Sequence, residues 1–177
     1  MTKTLYLLRH AKSDQSAADT VKDHLRPLAP RGIKAAQAME AYLAAHRIAV
    51  DRVYCSTATR TRETLDLVRD GLNSPSVSFR DKLYLAAADD LLAFVQSIPD
   101  AIKAAMIIGH NPGFHDLALT LTSRAGAGQA KALDKMRTKY PTGALCVLTF
   151  NVNSWKKVDT GLGTLTAFVR PKDLKNG

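Results

Sequence analysis

Near its start the chain carries a short apolar run that ends in an arginine and a histidine. The run is Leu5-Tyr6-Leu7-Leu8, and Arg9-His10 follows it directly. Unbroken apolar runs of this length are typical of strands buried on both faces, as in parallel sheets. Open α/β folds place their ligand sites at the carboxyl ends of such strands. The sequence therefore predicts a buried sheet with Arg9 and His10 at its functional edge.

Strand-like and helix-like segments alternate along most of the chain. Strands are predicted at 5–8, 52–55, 76–79 and 104–109. Helices are predicted at 32–46, after the cap candidates at 56–59, at 89–97 and from Asn111-Pro112 onward, with Asn111 as the cap. A Gly/Ala-rich loop is predicted at 123–131, and a terminal run of strands at 143–150, 155–158 and 164–169. This order predicts an α/β fold: a three-layer α/β/α sandwich around a mostly parallel central sheet, with antiparallel strands near the C-terminus.

The length and composition bound the organisation of the molecule. With 177 residues, no internal repeat and no long linker, we expect a single domain at 1–172 and a short C-terminal tail at 173–177. No apolar run approaches the roughly 18 residues of a membrane span, and the first run is too short for a signal peptide. The two cysteines, Cys55 and Cys146, lie in apolar runs and are expected to be buried free thiols. A cytoplasmic location is therefore expected.

The formal net charge of +9 indicates an anionic substrate or partner. The basic residues are scattered along the chain, and aromatic residues make up only 6% of it. This pattern does not favour nucleic-acid binding as the main function. A phosphorylated or acidic partner accounts for the charge equally well.

Three predicted strands end in side chains suited to phosphate chemistry. Arg9 and His10 follow the first strand, Ser56 ends the second and leads to Arg60, and His110 follows the strand at 104–109. Two arginine forks can hold the oxygens of a phosphoryl group and compensate its charge in the transition state. One histidine can attack phosphorus, and the other can donate a hydrogen bond to a phosphoryl oxygen. If the strands are neighbours, the sequence predicts a phosphoryl-transfer site.

Four motifs, in this order and spacing, resemble those of the histidine phosphatase superfamily, which includes the phosphoglycerate mutases. Arg9-His10-Ala11 resembles the Arg-His-Gly signature of that family. The segments 26–32, 56–64 and 109–113 resemble its first-helix, second-arginine and second-histidine elements. The short length, the Arg-His-Ala-Lys-Ser opening and the ending at 168–171 most resemble the small phosphohistidine phosphatases of the SixA type.

The resemblance implies a role for each matching residue and a phosphoglycerate mutase-like fold. It makes His10 the nucleophile, Arg9 and Arg60 the phosphate clamps, and His110 the donor to the transition state. Arg62 lies about 200° around a helix from Arg60 and is expected to point elsewhere. The expected substrate-binding residues of second rank are Arg26, Ser13 and Asn111. A phosphorylated histidine-containing phosphotransfer protein is the partner that the family implies.

Two departures from the family pattern bear on the chemistry. Ala11 replaces the usual glycine, which we expect the fold to tolerate. Glu40 and Glu63 are the only glutamates, whereas larger family members carry a glutamate acid between the second arginine and the second histidine. The candidates for a general acid are then Asp89 and Asp90, or no acid at all. A missing acid is less harmful when the leaving group is an imidazole, so phosphohistidine on a protein is the favoured substrate.

Other functions remain as alternatives. The main one is a broad-specificity phosphatase of the same superfamily acting on sugar phosphates or nucleotides. A mutase needs longer insertions that this chain lacks. A cysteine phosphatase requires Cys-x5-Arg, whereas only four residues separate Cys55 from Arg60. From another class, a non-catalytic phosphoprotein-binding domain would keep the clamp without turnover. No cofactor and no metal are expected, because the histidines and arginines supply the electrostatic stabilisation.

Overall fold

The structure, a computed structural model, describes residues 1–174 of the chain. It is built on one seven-stranded sheet and five α-helices. The strands are β1 (Lys3–Arg9), β2 (Arg52–Ser56), β3 (Ser76–Arg80), β4 (Ala104–Gly109), β5 (Thr122–Ala125), β6 (Leu145–Phe150) and β7 (Gly163–Val169). The helices are α1 (Pro30–Ala45), α2 (Thr59–Val68), α3 (Ala88–Gln96), α4 (Gly113–Leu121) and α5 (Ala130–Thr138).

The order of strands across the sheet is β3-β2-β4-β1-β6-β7-β5. The first four are mutually parallel, β6 is antiparallel to both β1 and β7, and β5 pairs parallel with β7 at the edge. The predicted α/β architecture, mostly parallel with antiparallel strands near the C-terminus, is confirmed.

Hydrophobic cores lie on both faces of the sheet, and β1 contributes to each. Leu5 and Leu7 are fully buried in the core that α3, α4 and α5 cover. Tyr6 and Leu8 face the second core, beneath α1 and α2. Burial on both faces explains why this strand lacks the polar alternation of a half-exposed strand.

A glycine brings α1 against the segment that follows β1. A Cβ atom on Gly32 would lie 2.1 Å from the carbonyl oxygen of Lys12, so no side chain fits there without moving backbone. The Ala29 amide also donates to that carbonyl at 2.9 Å. The start of α1 therefore fixes the backbone just beyond His10.

The predicted strand at 155–158 is wrong. Trp155–Lys157 forms a 3-10 turn, which begins with the Ser154 hydroxyl accepting a hydrogen bond from the Lys156 amide. The indole of Trp155 is fully buried and its N–H donates to the carbonyl of Ile102 at 2.6 Å. The apolar residues Trp155 and Val158 are spaced for one turn of helix rather than for the alternation of a strand.

The predicted loop at 123–131 is also wrong in part. Its first residues belong to β5, which extends the sheet beyond β7, and its last two begin α5. This helix packs through Leu133 and Met136 and was not predicted, because two apolar positions among charged residues give a weak helical pattern.

The end of the described chain forms a 3-10 helix at Pro171–Leu174. Residues 175–177 of the predicted tail lie outside the described residues. No helix within residues 1–174 is long and apolar enough to cross a membrane.

Candidate active site

The ends of three adjacent strands bring the two predicted catalytic histidines together. β4 lies between β1 and β2, with Arg9 opposite Gly109 in the register. His10 and His110 are the next residues of their chains, and their ring centroids are 5.3 Å apart. Both side chains are buried. The proximity expected from the sequence follows from this parallel register.

The hydrogen bonds of His10 determine which of its nitrogens is free. Nδ1 lies 2.7 Å from the carbonyl oxygen of Ala11, which can only accept, so Nδ1 carries the proton. The lone pair is therefore on Nε2, the atom that could act as a nucleophile. Ala11 itself is fully buried and is not among the non-glycine residues with positive φ, so the missing glycine imposes no backbone strain.

Ser56 holds the other imidazole. Its hydroxyl lies 2.7 Å from Nε2 of His110 and also accepts from the Ala58 amide at 3.4 Å. The Ser56 hydroxyl has no other acceptor among the described residues, so it donates to Nε2 and the imidazole proton is on Nδ1. Nδ1 is buried and has no hydrogen-bond partner. It is therefore a free donor beside His10.

The two predicted clamp arginines are anchored by their terminal nitrogens. Arg9 Nη1 donates to the carbonyl of Tyr140 at 2.8 Å. Arg60 donates from Nη1 to the carbonyl of Asp23 at 2.8 Å and from Nη2 to the carboxylate of the same residue at 3.0 Å. Each guanidinium keeps its Nε–H buried and without a partner.

Three buried donors of this site thus lack partners: Arg9 Nε, Arg60 Nε and His110 Nδ1. Among residues 1–174 they are the buried side-chain nitrogen and oxygen atoms for which no hydrogen bond is made. A buried donor without a partner costs about 1–3 kcal/mol. All three belong to residues chosen from the sequence for phosphate binding, and an anion with several acceptor oxygens is the ligand that would satisfy them.

Asp23 is a site residue that the sequence reasoning missed. Its carboxylate bonds Arg60, accepts from Arg26 at 2.7 Å and accepts from the hydroxyl of Tyr84. Hydrogen bonds from Tyr84 and Arg26, together with the charge of Arg60, hold the pKa of this carboxyl well below its usual range. The one available signal was its position three residues before Arg26, in an otherwise aperiodic loop.

The predicted substrate-binding residues of second rank line the same region. Arg26 Nη1 donates to the hydroxyl of Ser13, which is buried. Asn111 donates from Nδ2 to the Tyr140 carbonyl at 2.9 Å, and its Oδ1 accepts from the His115 amide at 3.3 Å. The prediction that Asn111 is the helix cap is wrong in register, because α4 begins at Gly113 with Pro112 before it.

The candidate acids Asp89 and Asp90 lie in the first turn of α3, and both are exposed. In the described chain neither carboxylate forms an ion pair. Tyr84, earlier in the chain, contacts the site instead: its ring meets that of His110 edge-on at 5.4 Å. Burial and the neighbouring Asp23 carboxylate raise the pKa of its phenol.

Two residues considered from the sequence are chemically unsuited to the site. Burial raises the pKa of Cys55 to about 12, which leaves a neutral thiol rather than the nucleophilic thiolate of a cysteine phosphatase. Arg62 is exposed and lies over the ring of Phe79 at 4.2 Å. No group of three or more His, Cys, Asp or Glu side chains within residues 1–174 could hold a metal ion.

Burial keeps both histidines neutral. It lowers the pKa of His10 to about 3, and the positive charges of Arg60 and Arg9 add to the effect. Burial also lowers the pKa of His110 to about 2, with contributions from His10 and Arg60. A neutral His10 is a nucleophile without prior deprotonation, and a neutral His110 still donates through Nδ1.

We expect the ¹⁵N signals of His10 and His110 to show neutral imidazoles from pH 8 down to pH 5. An unperturbed histidine would be about 97% protonated at pH 5. Because both pKa values are lowered on folding, the unfolded chain binds more protons below about pH 6.5, and the free energy of unfolding falls as the pH drops. Heteronuclear NMR of the free protein, with signals assigned from His10→Gln and His110→Gln, measures the protonation state of each imidazole. Protonation of either ring near pH 6.5 would contradict the burial.

Comparisons with known proteins agree with the geometry. The family model of the histidine phosphatase superfamily (branch 1) matches residues 5–84. An uncharacterized protein of Mycobacterium tuberculosis (strain H37Rv) is 36% identical over 165 residues, which is 93% of this chain and 100% of that protein. Phosphohistidine phosphatase SixA of Escherichia coli (strain K12) is 28% identical over 175 residues, 97% of this chain and 96% of that protein.

A solved structure extends the similarity to the whole fold. The structure of a candidate phosphohistidine phosphatase SixA from Nakamurella multipartitia has a TM-score of 0.80 and 31% sequence identity to this chain, and the match covers 97% of each. The fold expected from the motif resemblance is therefore confirmed across the described chain.

Proposed function

Since the chain belongs to the histidine phosphatase superfamily and is a phosphatase, we propose that it hydrolyses phosphohistidine on a protein through a covalent intermediate on His10. The observation that carries the proposal is the set of three unpartnered buried donors on Arg9, Arg60 and His110. They lie beside an imidazole whose Nε2 lone pair is free. A phosphoryl group supplies both the acceptors that the donors lack and the electrophile that the lone pair needs.

In the first step, Nε2 of His10 attacks phosphorus. A P–N bond forms to His10, and the P–N bond of the substrate breaks, with its electron pair going to the leaving imidazole. The Nδ1–H of His10 donates to the Ala11 carbonyl, which stabilises the positive charge that develops on the ring. The Nε–H groups of both arginines and Nδ1–H of His110 hold the three phosphoryl oxygens as charge redistributes.

In the second step, water attacks the phosphoryl group on His10. The new P–O bond replaces the P–N bond, whose electrons return to Nε2, and both protons of the water end on oxygens of inorganic phosphate. The same donors stabilise this transition state, so the site needs no rearrangement between steps.

The acids of the site favour phosphohistidine over a phosphomonoester. The carboxylate of the site is that of Asp23. The hydrogen bonds that lower the pKa of Asp23 keep it ionised, so it has no proton to donate to a leaving group. The hydroxyl of Tyr84 donates a hydrogen bond to that carboxylate. An alkoxide leaving group needs an acid. When phosphohistidine is protonated on its other ring nitrogen, its imidazole leaves as a neutral molecule. No acid is then needed at the nitrogen of the breaking bond.

A substrate panel tests this proposal. We expect kcat/KM for a histidine-phosphorylated phosphotransfer domain to exceed that for a phosphoserine peptide or a sugar phosphate by about a hundredfold or more, since general-acid catalysis contributes roughly that factor. Comparable rates on sugar phosphates would favour the broad-specificity alternative. Stoichiometric binding of the phosphodomain without phosphate release would favour a non-catalytic binder.

Asp23 has a positioning role in this proposal, because it binds the terminal nitrogens of Arg60 and leaves Nε of that residue for the phosphate, and it also binds Arg26. We expect Asp23→Ala to lower kcat/KM by about tenfold to a hundredfold, since misplacing a binding group costs that much. Asp19→Ala, the same substitution in the same exposed loop, is the matched control and should leave kcat/KM unchanged. The pH–rate profile should keep its shape in Asp23→Ala; loss of one limb would instead assign Asp23 a proton-transfer role.

A further inference from the structure

A groove of about 630 Å³ opens on the molecule between α1 and the segment after α5. Its apolar surface is made by small or rigid side chains, namely those of Ala35, Ala38, Pro141 and Pro171. None of them contributes to the phosphoryl site described above. Phosphoryl binding therefore does not account for the apolar lining of the groove.

The groove and the phosphoryl site share chain segments. Lys12, two residues after His10, lines the groove, and so does Pro141, which follows Tyr140. The Tyr140 carbonyl receives the hydrogen bond of Arg9 at 2.8 Å. The Gly143 amide donates to the carbonyl of His10 at 2.9 Å. A ligand in the groove therefore lies directly beside the backbone that carries the proposed nucleophile.

The walls of the groove are strongly cationic. The residues that line it include seven basic side chains and no acidic one: Lys12, Arg31, Lys34, Lys135, Lys139, Arg170 and Lys172. Asp173 pairs with Arg170 at 2.7 Å and with Lys135 at 3.3 Å. The remaining five cations form no ion pair with any residue in 1–174. Much of the net charge of +9 is thus concentrated beside the site.

We propose that this groove docks an acidic amphipathic helix of the phosphoprotein substrate. The inference rests on the proposed function, because the occupant is the protein that carries the phosphohistidine. A helix with one apolar face and acidic flanks matches an apolar floor between cationic walls. The volume suits the side chains of one or two helical turns. A bare polyanion would leave the apolar floor without a partner, and the lining has no aromatic side chain on which a base could stack.

Docking in the groove separates substrate capture from chemistry. The cationic walls steer an acidic helix toward the site and hold it there, so they lower KM for the protein substrate. They touch no reacting atom, so a small substrate that reaches only the phosphoryl site gains nothing from them. The capture is electrostatic and weakens as ionic strength rises.

The test measures binding directly and needs no turnover. The probe is a fluorescent peptide of about five helical turns, with leucines along one face and glutamates on both flanks of that face. We compare the wild type with Lys34→Glu/Lys139→Glu, one change on each wall. The matched control is Lys103→Glu/Lys157→Glu, the same charge change at exposed lysines outside the groove lining. Fluorescence anisotropy gives the dissociation constants, and p-nitrophenyl phosphate hydrolysis checks the phosphoryl site.

We expect the groove variant to bind the peptide at least about tenfold more weakly than the wild type, whereas the control changes affinity less than about threefold. A peptide of the same composition in scrambled order should also bind about tenfold more weakly, because it presents no continuous apolar face. Hydrolysis of p-nitrophenyl phosphate should be unchanged in both variants.

Three results would overturn the docking inference: equal loss of affinity in both variants, equal affinity for the scrambled peptide, or tighter binding of an inorganic polyphosphate chain than of the peptide. A wild type that binds the peptide but does not release phosphate from phosphohistidine contradicts the proposed function instead. The two claims therefore fail separately.

Discussion

Replacing His10 with glutamine should lower kcat by about ten-thousand-fold or more, because the amide has no lone pair able to form the covalent bond to phosphorus. The arginines and His110 would remain to bind the phosphoryl group. Affinity for vanadate or inorganic phosphate should therefore change far less than turnover. A steady-state assay with p-nitrophenyl phosphate and a phosphohistidine protein measures the first effect, and isothermal titration with vanadate measures the second.

The control for this variant is its stability. Glutamine approximates the length of the imidazole, so the melting temperature at pH 7 should stay close to that of the wild type. Below about pH 6.5 the variant should lose less stability than the wild type, because one buried neutral histidine has been removed. Retention of more than a few per cent of wild-type turnover in a folded His10→Gln protein would exclude the histidine as nucleophile.

Changing Arg60 to lysine should reduce kcat/KM by about a thousandfold. A lysine keeps the positive charge but has no planar fork, so it cannot both bond Asp23 and present a second nitrogen to the phosphoryl group. Arg60 is 2% exposed, and the loss should fall on kcat as well as on KM, since the donor serves the transition state.

Arg62→Lys is the matched control, because it makes the same chemical change two residues away. Arg62 is exposed, donates to the Thr57 carbonyl at 2.9 Å and stacks on Phe79, outside the phosphoryl site. Its substitution should change kcat/KM less than about threefold. Equal losses of kcat/KM in the two variants would mean that the position four residues after Ser56 does not identify the arginine that binds phosphate.

The parts of the fold that were predictable are those whose pattern comes from burial alone. β4 and β1 are the third and fourth of the seven strands across the sheet, and their unbroken apolar runs identify them. The strand ends then bring His10 and His110 together, because parallel neighbours expose the same end. The edge of the sheet was harder: β5 is only four residues long and is half-buried or exposed.

The missed parts of the site depend on long-range contacts that leave no periodic pattern. Asp23 is 37 residues from Arg60 and 61 from Tyr84, yet its carboxylate bonds both. The loop that carries it has no apolar repeat, so only the three-dimensional structure shows which of its acids reaches the arginines. Asp89 and Asp90 looked suitable because of their position in the chain, but their helix start is exposed.

The hydrogen bonds within the site likewise could not be predicted from the sequence. The motif spacing identifies Ser56 only as a marker for Arg60, whereas its hydroxyl holds Nε2 of His110 at 2.7 Å. The main-chain carbonyl of Ala11 decides which nitrogen of His10 is free. Such partners are backbone atoms or small hydroxyls, which almost any sequence supplies.

Detection of the covalent intermediate is the decisive test of His10 as the nucleophile. Enzyme in excess is mixed with a ³²P-labelled phosphohistidine protein, quenched within milliseconds under alkaline denaturing conditions, and digested for mass spectrometry. We expect a transient, acid-labile and base-stable phosphoryl group on His10, formed before inorganic phosphate appears and absent from His10→Gln. Phosphate release in a single turnover with His10 unlabelled at every time point would contradict it.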